Sequence, residues 1–406
     1  MKKIALALIA AACSLSAAEK RAIIAANGAK PAGPYSPGIL AGDYLYVTGQ
    51  GTRDAEGKVP ESPEGRVRQS LENVKAIVTA AGLTMEHVVY TQVYLHQSVS
   101  YEILNKVWNE YFPKNPPARA TLGVHRMPTE TTVEISAVAT TDLARKRTIM
   151  PAGFPKNINI APGMMVGDRL YISGLLGRDG ITGKIPDSPA AQVQLALDRV
   201  KSVLNAAGMD FANMVFVNPY LTSAVPMKVM NEIYAKHFEH GNTPARSTIG
   251  VAYLPHGANI EFSGVAIKDL SKRIAVRPKN MPPSPTASPC VWAGDTFYCS
   301  AKSGFIPGVN GGIFADNTED QLRMTMRNLL DGLEEAGLTF ANVVATVVYI
   351  DDQDEFTKMN AVYGKYFAAP PPPTRSTLSP LAPVERKRSA NGTFPKLEEV
   401  SIVAVK

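Results

Sequence analysis

The stretch Pro117-Ala118-Arg119-Ala120-Thr121 occurs, with small changes, three times in this chain of 406 residues. Its copies are Pro244-Ala245-Arg246-Ser247-Thr248 and Pro373-Thr374-Arg375-Ser376-Thr377. The three arginines are 127 and 129 residues apart, as their numbers 119, 246 and 375 show. This spacing is too long for a solenoid repeat and suits a whole small domain. The sequence therefore predicts three tandem copies of one domain.

The arginine lies at the same place in every copy, after a proline and before a strand-like run. A guanidinium held in this way suits bidentate capture of a carboxylate or phosphate. The same residue type also forms structural salt bridges between elements. Both interpretations are open from the residue pattern alone.

Each copy repeats the same order of predicted elements. A β-hairpin turns at Gly42-Asp43, and an amphipathic helix follows with Val67, Leu71, Val74 and Val78 on one face. The helix ends at an Ala-Gly pair, and a β-branched run, a second helix, the arginine and a last strand come next. The order β-β-α-β-α-β, with room for one more strand after the arginine, predicts an α+β domain with both helices on one face of a mixed sheet. The predicted boundaries are 1–18 for a signal peptide and 19–143, 144–270 and 271–406 for the three domains, with linkers near 142–149 and 268–285.

The first residues have the pattern of an export signal: Lys2-Lys3, a short apolar core and the small residues Ser16-Ala17-Ala18. We expect a periplasmic or secreted protein with residues 1–18 removed. A lipoprotein anchored through Cys13 is the second choice, because the preceding alanines lack the usual bulky aliphatic residue. Two cysteines, Cys290 and Cys299, would remain in an oxidising compartment.

Charge and motif content exclude several classes of function. The net charge of +6 is spread over 42 basic and 36 acidic residues, so neither nucleic-acid nor membrane binding is expected. No Cys or His cluster has zinc spacing, and no phosphate loop or nucleophile elbow is present. We therefore expect no metal and no cofactor.

The hairpin around Gly294-Asp295 brings the two cysteines to facing positions if its loop has two residues. A non-hydrogen-bonded antiparallel pair has Cα atoms about 4.5 Å apart, which is at the short end of what a disulfide accepts. A disulfide and a pair of small buried hydrophobic residues are both open at this point.

A set of motifs resembles the RidA family, the reactive intermediate deaminases. In the first copy these motifs are Gly33-Pro34-Tyr35-Ser36, Tyr46-Val47-Thr48-Gly49-Gln50, Leu71-Glu72-Asn73-Val74-Lys75, Ala80-Ala81-Gly82, Asn105, Pro117-Ala118-Arg119 and Val133-Glu134-Ile135. The resemblance implies a chorismate-mutase-like fold that trimerises through its sheets, with ligand sites in the clefts between subunits. It also implies cofactor-independent hydrolysis of 2-enamine and 2-imine acids to 2-oxo acids and ammonia. Three linked copies are then expected to form a monomeric pseudo-trimer.

The resemblance also predicts site residues. Arg119 and Arg246 are the expected carboxylate clamps, and Glu134 and Glu261, each 15 residues later, are the expected water-orienting groups. A strand glutamate can also be a solvated outward residue. The expected ligand-binding residues are Tyr35, Thr48, Gly49, Asn105, Thr121, Ser173, Gly174, Asn231, Thr248, Asn360 and Arg375.

The copies differ at these positions. Ile160 and Ala287 stand where the first copy has Tyr35, and Ala301 stands at the glycine position of the third copy. If residues 385–395 are an insertion, Ser401 falls at the glutamate position, with Glu399 two residues away as a possible substitute. We therefore expect the third copy to have an altered site and most turnover to depend on Arg119 and Arg246.

Three functions remain open: an exported deaminase, a carboxylate-binding protein without turnover, and an endoribonuclease. The last is the weakest, because no catalytic His pair and no aromatic-basic stripe is present. A binding protein would need only the arginines, whereas the deaminase would also need the glutamates.

Overall fold

Three mixed β-sheets follow one another along the chain, each with two α-helices. The computed structural model describes residues 20–155, 159–279, 281–308 and 311–406. The predicted signal peptide and Cys13 lie outside the described residues. The α+β architecture expected from the sequence is confirmed for all three repeats.

The first repeat contains strands Arg21–Ile23, Gly38–Ala41, Tyr44–Gln50, Val88–Leu95, Ala118–Gly123 and Val133–Thr140, and helices Pro63–Ala80 and Tyr101–Tyr111. The second contains strands Lys146–Ile149, Gly163–Val166, Arg169–Leu176, Met214–Leu221, Ala245–Arg246, Ile249–Gly250 and Ile260–Ile267, and helices Pro189–Ala206 and Met227–Tyr234. The third contains strands Arg273–Val276, Cys290–Ala293, Thr296–Lys302, Val343–Ile350, Thr374–Leu378 and Glu398–Val405, and helices Thr318–Glu335 and Phe356–Tyr366. In every sheet the last strand lies between the hairpin and the strand that follows the first helix.

The long helix of each repeat begins and ends where its sequence dictates. Ser62, Ser188 and Asn317 cap the N-termini by accepting a backbone N–H of the first turn. Gly82, Gly208 and Gly337 follow the C-termini with φ between 70° and 80°, a conformation that glycine adopts without strain. The apolar stripe predicted from Val67, Leu71, Val74 and Val78 is buried against the sheet. Local sequence therefore sets the helix that covers each sheet.

Two strands of each repeat differ from the sequence-based prediction. A short edge strand precedes each hairpin, and in repeats two and three it lies inside the segments predicted as linkers, at Lys146–Ile149 and Arg273–Val276. These strands have four residues with basic residues among them, so they lack the apolar run that signals a strand. The optional strand near the arginine is present in every repeat and runs parallel to its neighbour. The arginine lies within this strand and not before it.

The hairpin of the third repeat has the predicted two-residue loop. Cys290 pairs directly with Cys299, their Cα atoms are 4.0 Å apart, and the two form a disulfide. The structure thereby decides between the two alternatives that the sequence left open.

The three repeats pack around one shared core. Tyr46, Tyr171 and Tyr298, at the same position of the three hairpins, belong to a single cluster of buried residues drawn from all three repeats. The same backbone hydrogen bond crosses each junction: the N–H groups of Ala161, Ser288 and Ser36 donate to the carbonyls of Pro117, Pro244 and Pro373. Repeat one thus joins repeat two, two joins three, and three joins one. The chain forms a closed pseudo-threefold ring, while a monomeric state in solution stays a prediction.

Within the described ranges, no helix has the length and apolar character needed to cross a membrane.

Candidate functional site in the clefts between repeats

Each arginine of the repeated motif is held by its own repeat. Arg119 is 2% exposed, and its Nη2 donates to Asn105 Oδ1 at 2.7 Å and to the Tyr101 hydroxyl at 2.9 Å. Its guanidinium carbon lies 4.6 Å from the centre of the Trp108 ring. Nε and Nη1 have no hydrogen-bond partner among the described residues. A buried guanidinium with N–H groups left over is equipped to bind an anion.

Arg246 has the same asparagine and aromatic support, whereas Arg375 has the aromatic contact without a hydrogen bond to Asn360 Oδ1. Arg246 Nη1 donates to Asn231 Oδ1 at 2.8 Å, and its guanidinium lies over the Tyr234 ring. Arg375 is 3% exposed and lies over Tyr363 at 4.8 Å. The aromatic residue comes three positions after the asparagine in each repeat, so the two share one face of the helix. Sequence analysis missed Trp108, Tyr234 and Tyr363, although this Asn-x-x-aromatic spacing recurs in all three copies.

Predicted site residues from the next repeat complete each cleft. The hydroxyls of Ser173, Ser300 and Thr48 accept the backbone N–H of Arg119, Arg246 and Arg375 at 2.8, 2.8 and 3.0 Å. Each hydroxyl donates in turn to a carbonyl of its own repeat. Ser173 and Thr48 therefore fix the position of the neighbouring arginine strand. We name the clefts by their arginines: the Arg119 cleft, the Arg246 cleft and the Arg375 cleft.

The glutamates pair across repeats, which corrects the pairing expected from the sequence. Glu261 of repeat two lines the Arg119 cleft, and Glu134 of repeat one lines the Arg375 cleft. Glu134 therefore does not serve Arg119, and Glu261 does not serve Arg246, although each follows its own arginine by 15 residues. The reason is that the two strands of one repeat contact different repeats. In repeat one, the strand that carries the arginine contacts repeat two, whereas the strand that carries the glutamate contacts repeat three. Both carboxyl groups are buried, and Oε1 of each has no partner among the described residues.

Two glycines make room for these carboxyl groups. A Cβ atom at Gly49 would overlap Oε1 of Glu134, and a Cβ atom at Gly174 would overlap Oε1 of Glu261. Any side chain at these positions would force the carboxyl group out of its present position. The predicted glycines thus act by their lack of a side chain.

Burial is the main cause of the raised pKa values of the two glutamates in these clefts. It raises the pKa of Glu134 to about 7, against the Ser376 hydroxyl and the Arg375 guanidinium, which favour the charged form. It raises the pKa of Glu261 to about 8, against Arg119 and the Thr121 backbone. Both groups therefore exchange a proton close to neutral pH, as general acid–base groups do.

The Arg246 cleft differs from the other two. The strand register places Glu399 opposite Tyr349, as Glu134 lies opposite Tyr94 and Glu261 opposite Tyr220. Glu399 and not Ser401 is therefore the third glutamate, and the count across residues 385–395 was wrong by two.

Two features of repeat three make the surroundings of Glu399 different from those of Glu134 and Glu261. Glu399 forms an ion pair with Lys396, and Ala301 carries a methyl group where the other repeats have glycine. Burial lowers the pKa of Arg246, and Tyr234 and Glu399 oppose this shift, so the glutamate still lies near the arginine. The predicted alteration of a site by repeat three is present, but it affects the cleft of Arg246 and leaves that of Arg375 intact.

The remaining predicted residues divide between the clefts. Tyr35 lies over Arg375 at 4.8 Å, and its place in the Arg119 cleft is taken by Ile160. Thr121 and Thr377 line the Arg119 and Arg375 clefts, and Thr248 lines a cavity beside Glu399. The Oδ1 atom of Asn360 has no partner among the described residues, and a Cβ at Gly33 would lie 2.9 Å from it and 2.6 Å from Arg375 Nη2. The Arg119 cleft encloses about 350 Å³ and the Arg375 cleft about 90 Å³.

No group of three or more His, Cys, Asp or Glu side chains in the described segments has a geometry suited to a metal ion. The groups that line the Arg119 and Arg375 clefts are a guanidinium, a carboxyl group of raised pKa, hydroxyls and backbone groups.

The chain belongs to the family described as Endoribonuclease L-PSP, whose model matches residues 26–141, 159–268 and 280–382. A RutC family protein of Saccharolobus solfataricus is 39% identical over 125 residues, which are 30% of this chain and 97% of that protein. A RutC family protein of Pyrococcus horikoshii is 38% identical over 122 residues, again 30% of this chain and 97% of the relative.

Two solved structures are similar in sequence to part of the chain. The YjgF gene product of E. coli is 32% identical, with a TM-score of 0.29, and covers 30% of this chain and 99% of its own. E. coli TdcF, whose structure contains bound serine, is 29% identical with the same coverage and TM-score. Each relative thus corresponds in length to about one repeat. The resemblance to the RidA family stated from the motifs is confirmed.

Proposed function

We propose that the chain is a cofactor-independent hydrolase that converts 2-enamine and 2-imine acids to 2-oxo acids and ammonia. The observation that carries the proposal is the pairing, found in two clefts, of a buried arginine that has unpartnered N–H groups with a buried glutamate of raised pKa from the next repeat. We also propose that the protein is exported, on the strength of the pattern of residues 1–18.

The proposed reaction uses the arginine to bind the substrate and the glutamate to transfer protons. The substrate carboxylate binds the free N–H groups of Arg119 or Arg375, which brings its C2 atom toward the glutamate. The ionised glutamate accepts a proton from a water molecule as the water oxygen bonds to C2, and it passes this proton to the nitrogen as the C=N double bond becomes a single bond, which gives a carbinolamine. The glutamate then accepts the proton of the new hydroxyl group and passes it to the amine nitrogen as the C2=O bond forms and the C–N bond breaks, so that a 2-oxo acid and ammonia leave.

The cleft glycines provide a first test at the level of single atoms. We expect Gly49→Ala combined with Gly174→Ala to lower 2-oxo acid release at least tenfold, because each new methyl group displaces the glutamate carboxyl group. The reverse change in the third repeat, Ala301→Gly, is the matched control and should cost no activity. The rate of 2-oxo acid release from 2-iminopropanoate generated in situ is the measurement. Unchanged rates in the double variant would show that the carboxyl position has no role in turnover.

The defining experiment compares the full chain with buffer in that assay. Acceleration of 2-oxo acid release over the spontaneous rate supports the proposal. Binding of 2-oxobutanoate without acceleration would instead identify a carboxylate-binding protein. Cleavage of RNA that survives loss of both Arg119 and Arg375 would indicate a nuclease unrelated to these clefts.

A further inference from the structure

The two intact clefts differ in size and in which residues carry their positive charge. The Arg119 cleft is about four times larger, at about 350 Å³ against about 90 Å³. Two more arginines, Arg178 and Arg199, line it, while Lys30 and Arg53 line the Arg375 cleft, and each cleft has one acidic residue among its described lining residues, Glu261 or Glu134. Because burial raises the pKa of Glu261 to about 8, this carboxyl group offsets little of the positive charge at neutral pH.

Each intact cleft has an arginine in the loop that follows its glycine. Among the described residues, this arginine side chain donates hydrogen bonds to the protein in the Arg375 cleft but not in the Arg119 cleft. Arg53 of repeat one has its guanidinium bound to the backbone carbonyls of Gly57 and Thr129 at 3.1 and 2.9 Å. Arg178 occupies the same place in repeat two, four residues after the cleft glycine. Its guanidinium makes no hydrogen bond or ion pair within the segments that the structure describes.

Arg199 is a second cation that the other repeats lack. Asn73 and Asn328 hold the loop after the hairpin by donating to the carbonyls of Arg53 and Phe305. Arg199 donates to the matching carbonyl of Arg178, so it performs the same bracing and adds a positive charge. Its guanidinium also lies 5.0 Å from the centre of the Phe154 ring at the cleft wall.

His256 is close both to Tyr101, which binds Arg119, and to Arg178. Its ring lies 4.9 Å from that of Tyr101, whose hydroxyl binds Arg119. Burial lowers the pKa of His256, and Arg178 and Arg119 lower it further, against Glu102. Both guanidinium groups therefore act on one side chain of the same cavity.

We infer that the Arg119 cleft selects a 2-imino acid whose side chain carries a second carboxylate. The 2-carboxylate binds Arg119, and the side-chain carboxylate binds Arg178 and Arg199, which line the same cavity. The smaller Arg375 cleft, with Tyr35 above its arginine, takes short monocarboxylic substrates. This inference rests on the proposed function and adds a substrate class to one of its two sites.

Stable 2-oxo acid products serve as probes. In a full chain carrying Arg375→Ala, calorimetry should show 2-oxoglutarate binding at least tenfold more tightly than 2-oxobutanoate, as expected for an added charge-assisted contact. Arg178→Gln and Arg199→Asn should each reduce the affinity for 2-oxoglutarate about tenfold more than that for 2-oxobutanoate. Asparagine is the residue at the matching position of both other repeats, so Arg199→Asn preserves the loop support. Arg53→Gln is the matched control and should leave the ratio of affinities unchanged.

The outcomes separate this inference from the proposed function. Equal affinities for the two acids, in a chain that still hydrolyses 2-iminopropanoate, would overturn the substrate class and leave the deaminase standing. A ratio insensitive to both Arg178→Gln and Arg199→Asn would have the same meaning. Failure to bind either acid, together with no hydrolysis, would overturn both proposals.

Discussion

Replacing Arg119 and Arg375 together with alanine is expected to lower kcat/KM for 2-imino acids at least about 100-fold. Each arginine holds the substrate carboxylate in a buried site, and loss of a charge-assisted clamp there costs a few kcal/mol. Each single variant should retain the share of the untouched cleft, since the two sites lie in separate junctions between repeats. The measurement is 2-oxo acid release at substrate concentrations below KM.

Arg246→Ala is the matched control and should keep more than half of the activity. Arg246 has the same asparagine and aromatic support, but its facing glutamate is paired with Lys396 and its cleft contains Ala301. Sequence reasoning assigned turnover to Arg119 and Arg246 instead. Retained activity in the Arg119/Arg375 double variant, with loss in Arg246→Ala, would place turnover in the Arg246 cleft alone.

Changing Glu134 and Glu261 together to glutamine is expected to reduce the turnover number by about 10²–10⁴-fold, the range of a positioned acid–base group. Binding of 2-oxobutanoate should persist, because glutamine resembles the neutral carboxyl group and the arginines remain. Glu399→Gln serves as the control and should have little effect. Full turnover in the double variant would remove the glutamates from the mechanism.

The pH dependence should have opposite signs for binding and for turnover. An anionic ligand binds better while the nearby glutamate is neutral, so affinity falls as pH rises through about 7 in the Arg375 cleft and about 8 in the Arg119 cleft. Proton removal from water requires the ionised form, so the turnover number rises over the same range. Both trends should vanish in the Glu134→Gln, Glu261→Gln variant. Calorimetry and steady-state rates between pH 6 and 9 would show whether they do; the limits of this range are about one unit to either side of these pKa values.

Much of the fold could be predicted from residue order because it depends on local signals. Neighbouring residues alone predict the apolar stripe of the first helix, the glycine that follows each long helix and the hairpin turn at Gly294-Asp295. The edge strand Lys146–Ile149 was missed, since its place in the sheet comes from pairing with Gly163–Val166 and not from its own composition.

The partners within each cleft could not be predicted in this way. The sequence separation of 15 residues between Arg119 and Glu134 does not show that their two strands contact different repeats. Likewise, counting across residues 385–395 selected Ser401, whereas backbone pairing with Tyr349 selects Glu399. Contacts between repeats and registers after insertions are set by tertiary packing, so they required the structure.

The closed ring gives every repeat one part in each of two clefts, and this has a genetic consequence. In a homotrimer a single codon change appears in all three sites at once. Here the arginine side of the third repeat keeps Asn360, Arg375 and Thr377, while its glutamate side carries Ala287, Ala301 and the added residues before Lys396. A fused gene of this kind can change one site while its two sister sites continue to operate.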